Sequence, residues 1–290
     1  MTLASILLVL LAALIHATWN LLAKRAARVG PTFVFAYNLV ACVAYAPWVV
    51  WVLLHGRVPW SGPVLAAIVA SGLVHLAYSL VLQRGYQVAD FTVVYPVARG
   101  SGPMLASVAA ILLLGEAVTP LRVAGLLAIV AGILLISTRG DLRAFARPGG
   151  QAGVRWGTAT GGLIAGYTVI DAYAVKALGV PPVVLDWCGN FQRFFFLLPF
   201  VARDPAGARA RMRGHWPLAI GVGLLSPLSY ILVLGALSLG APVTIVAPMR
   251  ELSMMAAALM GMVFLREEVG TVRLLGCGVL VGGVVLLGAS

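Results

Sequence analysis

The sequence predicts an all-α integral membrane protein in which ten transmembrane helices form two inverted five-helix repeats. The composition, the length of the apolar runs and an internally repeated pattern lead to this fold class. Of the 290 residues, 61% are hydrophobic and 10% are charged, and the mean hydropathy is +1.02. A soluble domain carries about 25% charged residues. A soluble globular fold is therefore excluded.

The apolar runs are near the length that lets a helix cross the membrane, about 20 residues for about 30 Å of hydrocarbon. Transmembrane strands would be shorter and alternating. The first run lacks a basic leading region and a clear cleavage site, so it is predicted to be a spanning helix rather than a removed signal peptide. Divided at the Pro, Gly and charge clusters, the chain contains ten predicted spans: 3–24, 32–54, 63–83, 91–114, 119–138, 155–177, 182–202, 215–238, 242–265 and 270–289.

Charge predicts the orientation. The net charge of +11 could suggest a nucleic-acid partner, but the charges lie in short connections between spans, so no nucleic acid is expected. Fourteen of the 20 Lys and Arg residues fall on the side reached after the first span, and three lie on the other side. The positive-inside rule places the richer side in the cytoplasm. Both termini are then expected outside the cytoplasm, with the protein in the inner (plasma) membrane.

The chain repeats itself at an offset of 151 or 152 residues. GEAVTPLRVAG (115–125) aligns with REEVGTVRLLG (266–276), and TVVYPVARG (92–100) aligns with TIVAPMREL (244–252). A register kept across three or more spans indicates an internal duplication. Because each half holds an odd number of spans, the second half must enter the membrane from the opposite side. Inverted repeats of this kind are a transporter architecture, with the substrate site near the midplane.

The duplication divides the chain into three predicted parts. Residues 1–138 form the first repeat, 139–154 a cytoplasmic linker and 155–290 the second repeat. Neither the linker nor any other connection is long enough for a soluble domain. Function is therefore expected inside the membrane.

Two segments carry a family resemblance, LLLGEAVTPLRVAGLLAIVAGILLI and its copy FLREEVGTVRLLGCGVLVGGVVLL. With its two five-helix halves, the chain resembles the drug/metabolite transporter superfamily, in its ten-helix EamA branch. Members of that branch export amino acids, aromatic ones in some cases, and other small metabolites. The resemblance implies a secondary transporter, and alternating access is the expected mechanism. It does not identify the substrate, so sugar, phosphorylated or drug-like metabolites stay open as alternatives, as does a membrane scaffold or an intramembrane enzyme.

Two arginines lie deep in predicted spans, each shortly after a proline. Arg99 and Arg250 each lie nine residues into a span, which is roughly 13 Å at the helical rise. A charge at the bilayer centre costs at least about 2.5–3.5 kcal/mol, so each arginine should face a wet cavity or a partner. Pro96 and Pro248 free backbone carbonyls one turn earlier, which a helix tolerates where it lines a cavity.

Several interpretations of these arginines stay open. They could bind a substrate carboxylate in a central pathway. They could instead pair with internal acids and hold helices together, the candidates being Glu251, Asp171 and Asp186. Span 4 could also begin near Gly100, which would leave Arg99 at the surface.

Other polar and aromatic residues in the spans complete the candidate site. The predicted substrate-binding residues besides the two arginines are Tyr78, Tyr95, Tyr230, Trp19 and His75. The predicted gating or coupling residues are Asn20, Asp171 and Glu251. The alternatives are interfacial belts for the aromatics and interhelical hydrogen bonds for the polar residues. Arg193 is expected to pack or pair with Asp186. Span 1 carries no carboxylate, unlike the small multidrug relatives, which argues against a cationic-drug antiporter.

Enzyme motifs and metal-ligand spacings are lacking, so no enzymatic activity and no cofactor are expected. REEVGTVR (266–273) has four residues between its second glutamate and its last arginine, one more than the E-E-x-x-x-R motif of intramembrane proteases. It also aligns with GEAVTPLR (115–122), which lacks that motif. The cysteines read as small core residues. The G-x-x-x-G spacings at 157–161, 162–166 and 278–282 predict packing within a monomer, with a homodimer as the alternative. The expected partners are a small-molecule substrate and the lipid bilayer.

Overall fold

The computed structural model describes residues 1–26, 29–56, 58–89, 91–146, 150–265 and 270–290. Within these ranges the protein is helical and has no strand. The α-helices are α1 (Leu3–Arg25), α2 (Pro31–His55), α3 (Gly62–Val88), α4 (Phe91–Leu114), α5 (Pro120–Thr138), α6 (Gly150–Lys176), α7 (Pro182–Ala202), α8 (Pro205–Met212), α9 (Trp216–Ser238), α10 (Val243–Met249), α11 (Leu252–Leu265) and α12 (Thr271–Gly288). A short 3-10 helix, Leu142–Ala146, precedes α6.

Seven of these helices are long and apolar enough to cross a membrane: α1, α2, α3, α4, α5, α9 and α12. They coincide with seven of the ten predicted spans and make the chain a multi-pass membrane protein. The other three predicted spans fall on α6, α7 and the α10–α11 pair. Helices α6 and α7 are less apolar because they carry charged side chains, and neither α10 nor α11 is long enough to cross alone.

The predicted ninth span is not a continuous helix. Helix α10 ends at Met249 and α11 begins at Leu252, so Arg250 and Glu251 lie in a buried turn between two short helices. Backbone hydrogen bonds continue across this turn, from the Arg250 N–H to the Val246 carbonyl and from the Met254 N–H to the Glu251 carbonyl. Pro248 supplies no backbone N–H to the turn that ends α10. Its counterpart Pro96 lies inside α4, which continues through Arg99 without interruption. The repeated motif therefore has two different backbones. Because Arg99 is buried within α4, the interpretation that this span starts near Gly100 is wrong.

Helix α6 begins at Gly150, inside the predicted linker 139–154, because its glycines already pack on α4 there. A Cβ on Gly153 or on Gly157 would come within 2.7 Å of the Val93 or Val97 side chain. The GTATG spacing (157–161) thus brings two helix backbones together inside the protein, as the sequence predicted.

Glycines also set the contact between α5 and α12. A Cβ on Gly125 would lie 2.9 Å from the Gly283 carbonyl oxygen, and one on Gly132 would lie 2.8 Å from the Gly276 carbonyl oxygen. The two helices are antiparallel, since the residue numbers of the contacts run in opposite directions. Gly125 is the repeat counterpart of Gly276, and Gly132 that of Gly283. Each glycine therefore faces the sequence counterpart of the other.

One carboxylate anchors the first turn of α10. Glu116, in the connection between α4 and α5, accepts hydrogen bonds from the Val243 N–H at 2.7 Å and from the N–H and hydroxyl of Thr244 at 2.9 and 2.8 Å. The Lys176 ammonium lies 3.3 Å from Glu116 Oε1 and also donates to the Ala241 carbonyl. Burial raises the pKa of Glu116, but these hydrogen bonds and the nearby charge outweigh it and hold the pKa below its ordinary value.

We predict that Glu116→Gln destabilises the detergent-solubilised protein at neutral pH. The amide loses the Lys176 ion pair and offers one acceptor oxygen to several donors, at an expected cost of about 1–3 kcal/mol. A carboxylate with a lowered folded-state pKa stabilises the protein above its unfolded pKa of about 4.3 and loses that effect as the pH falls through the lower folded-state pKa. The difference between wild type and variant in thermal unfolding midpoint should therefore shrink across that acidic window.

Asp204→Asn is the matched control. Asp204 is exposed and its pair with Arg211 lies at the surface, so little change is expected. Equal unfolding midpoints for wild type and Glu116→Gln at pH 7 would contradict the anchoring role.

Candidate functional site

Six charged side chains on α4, α6, α7 and the turn between α10 and α11 lie buried or half-buried: Arg99, Arg193, Arg250, Asp171, Asp186 and Glu251. Arg122 on α5 and Arg273 on α12 are half-buried elsewhere. Of the six, three are positive and three are negative, so their total charge is zero when His75 is neutral. They form two groups. The first, on α4 and at the α10–α11 break, carries one net positive charge, and the second, on α6 and α7, carries one net negative charge.

In the positive group, Arg99 is paired with an internal acid. Its Nε lies 2.9 Å from Oε2 of Glu251, which is 1% exposed, and its Nη2 donates to the Ser253 hydroxyl at 3.2 Å. The Nε–Oε2 contact is an ion pair whose alignment is not that of a hydrogen bond. The interpretation that a core arginine pairs with the protein's own acid therefore holds for Arg99.

Arg250 differs from Arg99 although both come from the same repeated motif. Its Nη2 donates to the Tyr167 hydroxyl at 3.2 Å, and its Nε is buried without a hydrogen-bond partner. Among the residues that the structure describes, no carboxylate forms an ion pair with it. Arg250 thus keeps a donor and an uncompensated charge available in the interior.

The negative group surrounds Asp171, which is 1% exposed. Its Oδ2 accepts a hydrogen bond from the Tyr230 hydroxyl and lies 3.1 Å from His75 Nε2, while its Oδ1 is buried without a partner. Close by, the Asn190 amide donates to Asp186 Oδ2 at 2.8 Å, and Arg193 Nη2 donates to Asn190 Oδ1 at 2.9 Å. Asn190 therefore links Asp186 and Arg193 through hydrogen bonds, and no direct ion pair between these two side chains is observed in the described part of the chain.

A small polar cavity lies between these two acids. Its volume is about 10 Å³, and it is lined by Ser71, His75, Asp171, Leu185, Asp186, Gly189, Arg193 and Tyr230. This is about the volume that one water molecule requires. This cavity therefore has no room for a ligand larger than water.

Tyr167 connects the two groups, and sequence reasoning missed it. Its hydroxyl accepts from Arg250, and its ring stacks on His75 with centroids 3.9 Å apart. The Tyr78 and Tyr230 rings meet it edge-on at 5.6 and 6.2 Å. A signal was present, because Tyr167 lies four residues before Asp171 and so shares its helix face.

The structure gathers most of the predicted site residues but not all. Tyr95 lies one turn before Arg99 on α4 and packs against the core. Trp19 packs in a separate apolar cluster near the end of α1, with its ring edge-on to His16 at 4.8 Å. Asn20 is exposed, and its amide donates back to the His16 carbonyl at 2.7 Å. Trp19 and Asn20 are therefore not brought into contact with the charged groups.

Comparison with known proteins agrees with this architecture. Residues 3–138 match the EamA-like transporter family, which confirms the resemblance seen in the sequence. A crystal structure of another protein is similar over 99% of this chain and 96% of that one, with a TM-score of 0.78 and 18% sequence identity, and 29 chains of solved structures match in all. At this identity the likeness shows the fold alone. The comparison with curated proteins finds no match.

We predict that Arg99 and Glu251 are energetically coupled. Arg99→Gln leaves a buried carboxylate without its cation, and Glu251→Gln leaves a buried guanidinium, so each single change should cost about 3–5 kcal/mol of stability. The double variant removes both charges and should cost much less than the sum of the single changes. Thermal unfolding of the four proteins in detergent measures this cycle.

Arg84→Gln serves as the control, because Arg84 is exposed on α3 and should contribute little. Single effects that simply add in the double variant would show that the ion pair does not stabilise the fold.

Proposed function

We propose that the protein is a secondary transporter and not an enzyme, starting from the match of residues 3–138 to the EamA-like transporter family. In this proposal it exports small metabolites, principally amino acids, by alternating access. The observation that carries the proposal is Arg250. It is a buried cation with an unpartnered Nε, placed between two half-helices in the membrane interior. A substrate carboxylate would satisfy both its charge and its donor.

The break between α10 and α11 supports a transport role. Transporters place substrate sites near the midplane at discontinuous helices, whose ends present polar backbone groups to the ligand. Irregular backbone at membrane depth is tolerated where it is buried in protein or lines a cavity. The turn between α10 and α11 holds Arg250, the proposed substrate-binding residue. It also holds Glu251, which forms the ion pair with Arg99.

We further propose that the two halves, 1–138 and 155–290, are inverted repeats joined by the linker 139–154. The crossed glycine contacts between α5 and α12 support this arrangement, since Gly125 faces Gly283 and Gly132 faces Gly276. If the two repeats had the same orientation in the membrane, Gly125 would instead lie level with Gly276, and Gly132 with Gly283. In this orientation the termini face outward from the inner membrane and the arginine-rich connections face the cytoplasm.

The amino-acid assignment rests on a match of charges. An α-amino acid carries a carboxylate and an ammonium group, and the buried polar atoms without a hydrogen-bond partner include a charged donor, Arg250 Nε, and a charged acceptor, Asp171 Oδ1. The rings of Tyr167, Tyr78 and Tyr230 lie among these groups and offer apolar contact to a side chain. Because the cavity beside Asp171 has a volume of only about 10 Å³, the substrate would enter a more open state.

A phosphorylated metabolite is the second candidate, because a guanidinium also binds phosphate through paired hydrogen bonds. It would leave the acceptor at Asp171 without an ammonium partner. Competition of sugar phosphates with labelled amino acids in the transport assay separates the two classes.

Solute counterflow in proteoliposomes tests the proposal. A panel of labelled neutral amino acids should exchange across vesicles that contain the wild-type protein and not across empty vesicles. Arg250→Gln should lower the initial rate about tenfold or more, because a hydrogen bond to a charged group contributes about 1.5–3 kcal/mol.

Arg250→Lys keeps the charge but loses the paired donors, so its rate should lie between those of wild type and Arg250→Gln. The exposed Arg84→Gln is expected to transport as wild type does. Absence of counterflow for every solute would point to a scaffold or enzyme, and an unchanged rate in Arg250→Gln would remove Arg250 from the site.

A further inference from the structure

Helix α8 connects α7 to α9 and lies in a strongly basic segment. Residues 203–213, RDPAGARARMR, contain four arginines and one aspartate. The helix starts after Asp204, whose Oδ1 accepts a hydrogen bond from the Gly207 N–H at 2.9 Å. With 8 residues, α8 is far too short to cross a membrane. Its position therefore depends on the spanning helices against which it packs.

One face of α8 is apolar and packs on the protein. Ala208 and Met212 are four residues apart and so share a helix face, and they are only 5% and 2% exposed. Met212 belongs to a hydrophobic cluster that includes Phe33 near the start of α2 and Ala219 near the start of α9. This contact fixes α8 beside the first turns of both helices.

Arg211 ties the polar side of α8 to the same place. Its Nε donates to the Thr32 hydroxyl, in the first turn of α2, at 3.3 Å, and its Nη1 lies 3.3 Å from Asp204 Oδ2. Helices α2 and α9 are both long and apolar enough to cross a membrane. Because α8 packs where these two helices begin, it lies at the membrane surface.

The rest of this segment presents three arginines to the outside. Arg203, Arg209 and Arg213, here called the arginine face, are exposed, and no carboxylate pairs with them in the part of the chain that the structure describes. The one acid of the segment, Asp204, is already paired with Arg211. Three positive charges close together repel one another, so an anion bound beside them is favoured.

Two exposed aromatic side chains flank the arginine face. Phe200 in the last turn of α7 is 63% exposed, and the guanidinium carbon of Arg203 lies 5.8 Å from the centroid of its ring. Trp216, the first residue of α9, is 45% exposed. Aromatic residues at the ends of spanning helices are typical of the level of the lipid head groups. The arginine face is therefore expected at the same depth.

We propose that the arginine face binds the phosphate groups of anionic phospholipids and anchors the connection between α7 and α9 to the membrane surface. A guanidinium binds phosphate through paired, charge-assisted hydrogen bonds. Basic clusters beside spanning helices or on short amphipathic helices attract anionic lipids. The inference concerns the lipid around the protein and does not depend on which solute the protein carries.

The lipid dependence of thermal unfolding tests this site. Phosphatidylglycerol added to the detergent-solubilised wild type should raise the unfolding midpoint more than an equal amount of phosphatidylcholine does. The triple variant Arg203→Gln, Arg209→Gln and Arg213→Gln should need about tenfold or more phosphatidylglycerol to reach half of its maximal shift. Arg211 is kept because it holds α8 in place. Equal responses of the wild type to the two lipids would overturn the proposal.

The matched control is the triple variant Arg84→Gln, Arg143→Gln and Arg155→Gln. These arginines are also exposed, so the control loses the same charge elsewhere on the chain and should respond as the wild type does. Equal weakening in both triple variants would show an effect of net charge alone and would reject the site. The single variant Arg209→Gln should need about fivefold more lipid and covers the case in which the triple variant does not fold. An unchanged response in Arg209→Gln would count against the site.

Salt and a soluble head group test the chemistry of binding. Raising the ionic strength from about 0.01 M to about 1 M shortens the Debye length from about 30 Å to about 3 Å, so the preference for phosphatidylglycerol should shrink. A preference unchanged by salt would exclude an electrostatic site. Glycerol phosphate at the same concentration should give no shift. A shift equal to that of the lipid would assign the arginine face to soluble phosphates and overturn lipid binding.

Discussion

The cost of holding charge inside an apolar helical bundle shapes the interior of this protein. A single arginine near the bilayer centre is unfavourable unless it meets a partner or water. Arg99 and Arg250 are buried together with Glu251, and Asp171 and Asp186 are buried near the half-buried Arg193, so the core charges of α4, α6, α7 and the α10–α11 turn fall into a positive and a negative group. The ion pair of Arg99 with Glu251 offsets part of the cost of burying both charges.

The two arginines of the repeated sequence motif lie in different surroundings. Arg99 stays in a continuous helix and is neutralised by Glu251, which belongs to the other copy of the motif. Arg250 lies at a helix break and contacts only the hydroxyl of Tyr167 among the described hydrogen-bond partners. Arg99 therefore forms an ion pair with the other copy of the motif, whereas Arg250 keeps its Nε without a hydrogen-bond partner.

Tyr167 lies where the positive and negative groups meet. Its hydroxyl contacts Arg250, and its ring stacks on His75, which in turn reaches Asp171. Glu116 accepts hydrogen bonds from the first turn of α10, and Arg250 directly follows the last residue of this helix. The Glu116 anchor and the positive group are therefore connected through α10.

Much of this protein followed from sequence alone. Apolar runs of membrane-crossing length predicted the helices, because a helix satisfies its own backbone groups in any apolar surrounding. The two arginines, His75, Tyr78, Tyr230, Asp171 and Glu251 were found because polar residues inside apolar spans must have a partner or a role. Tertiary structure alone decided which charges pair, where the ninth predicted span breaks, that Tyr167 joins the groups and that Asn20 does not. Those outcomes depend on distances between helices that are far apart in sequence, and neither periodicity nor composition encodes such distances.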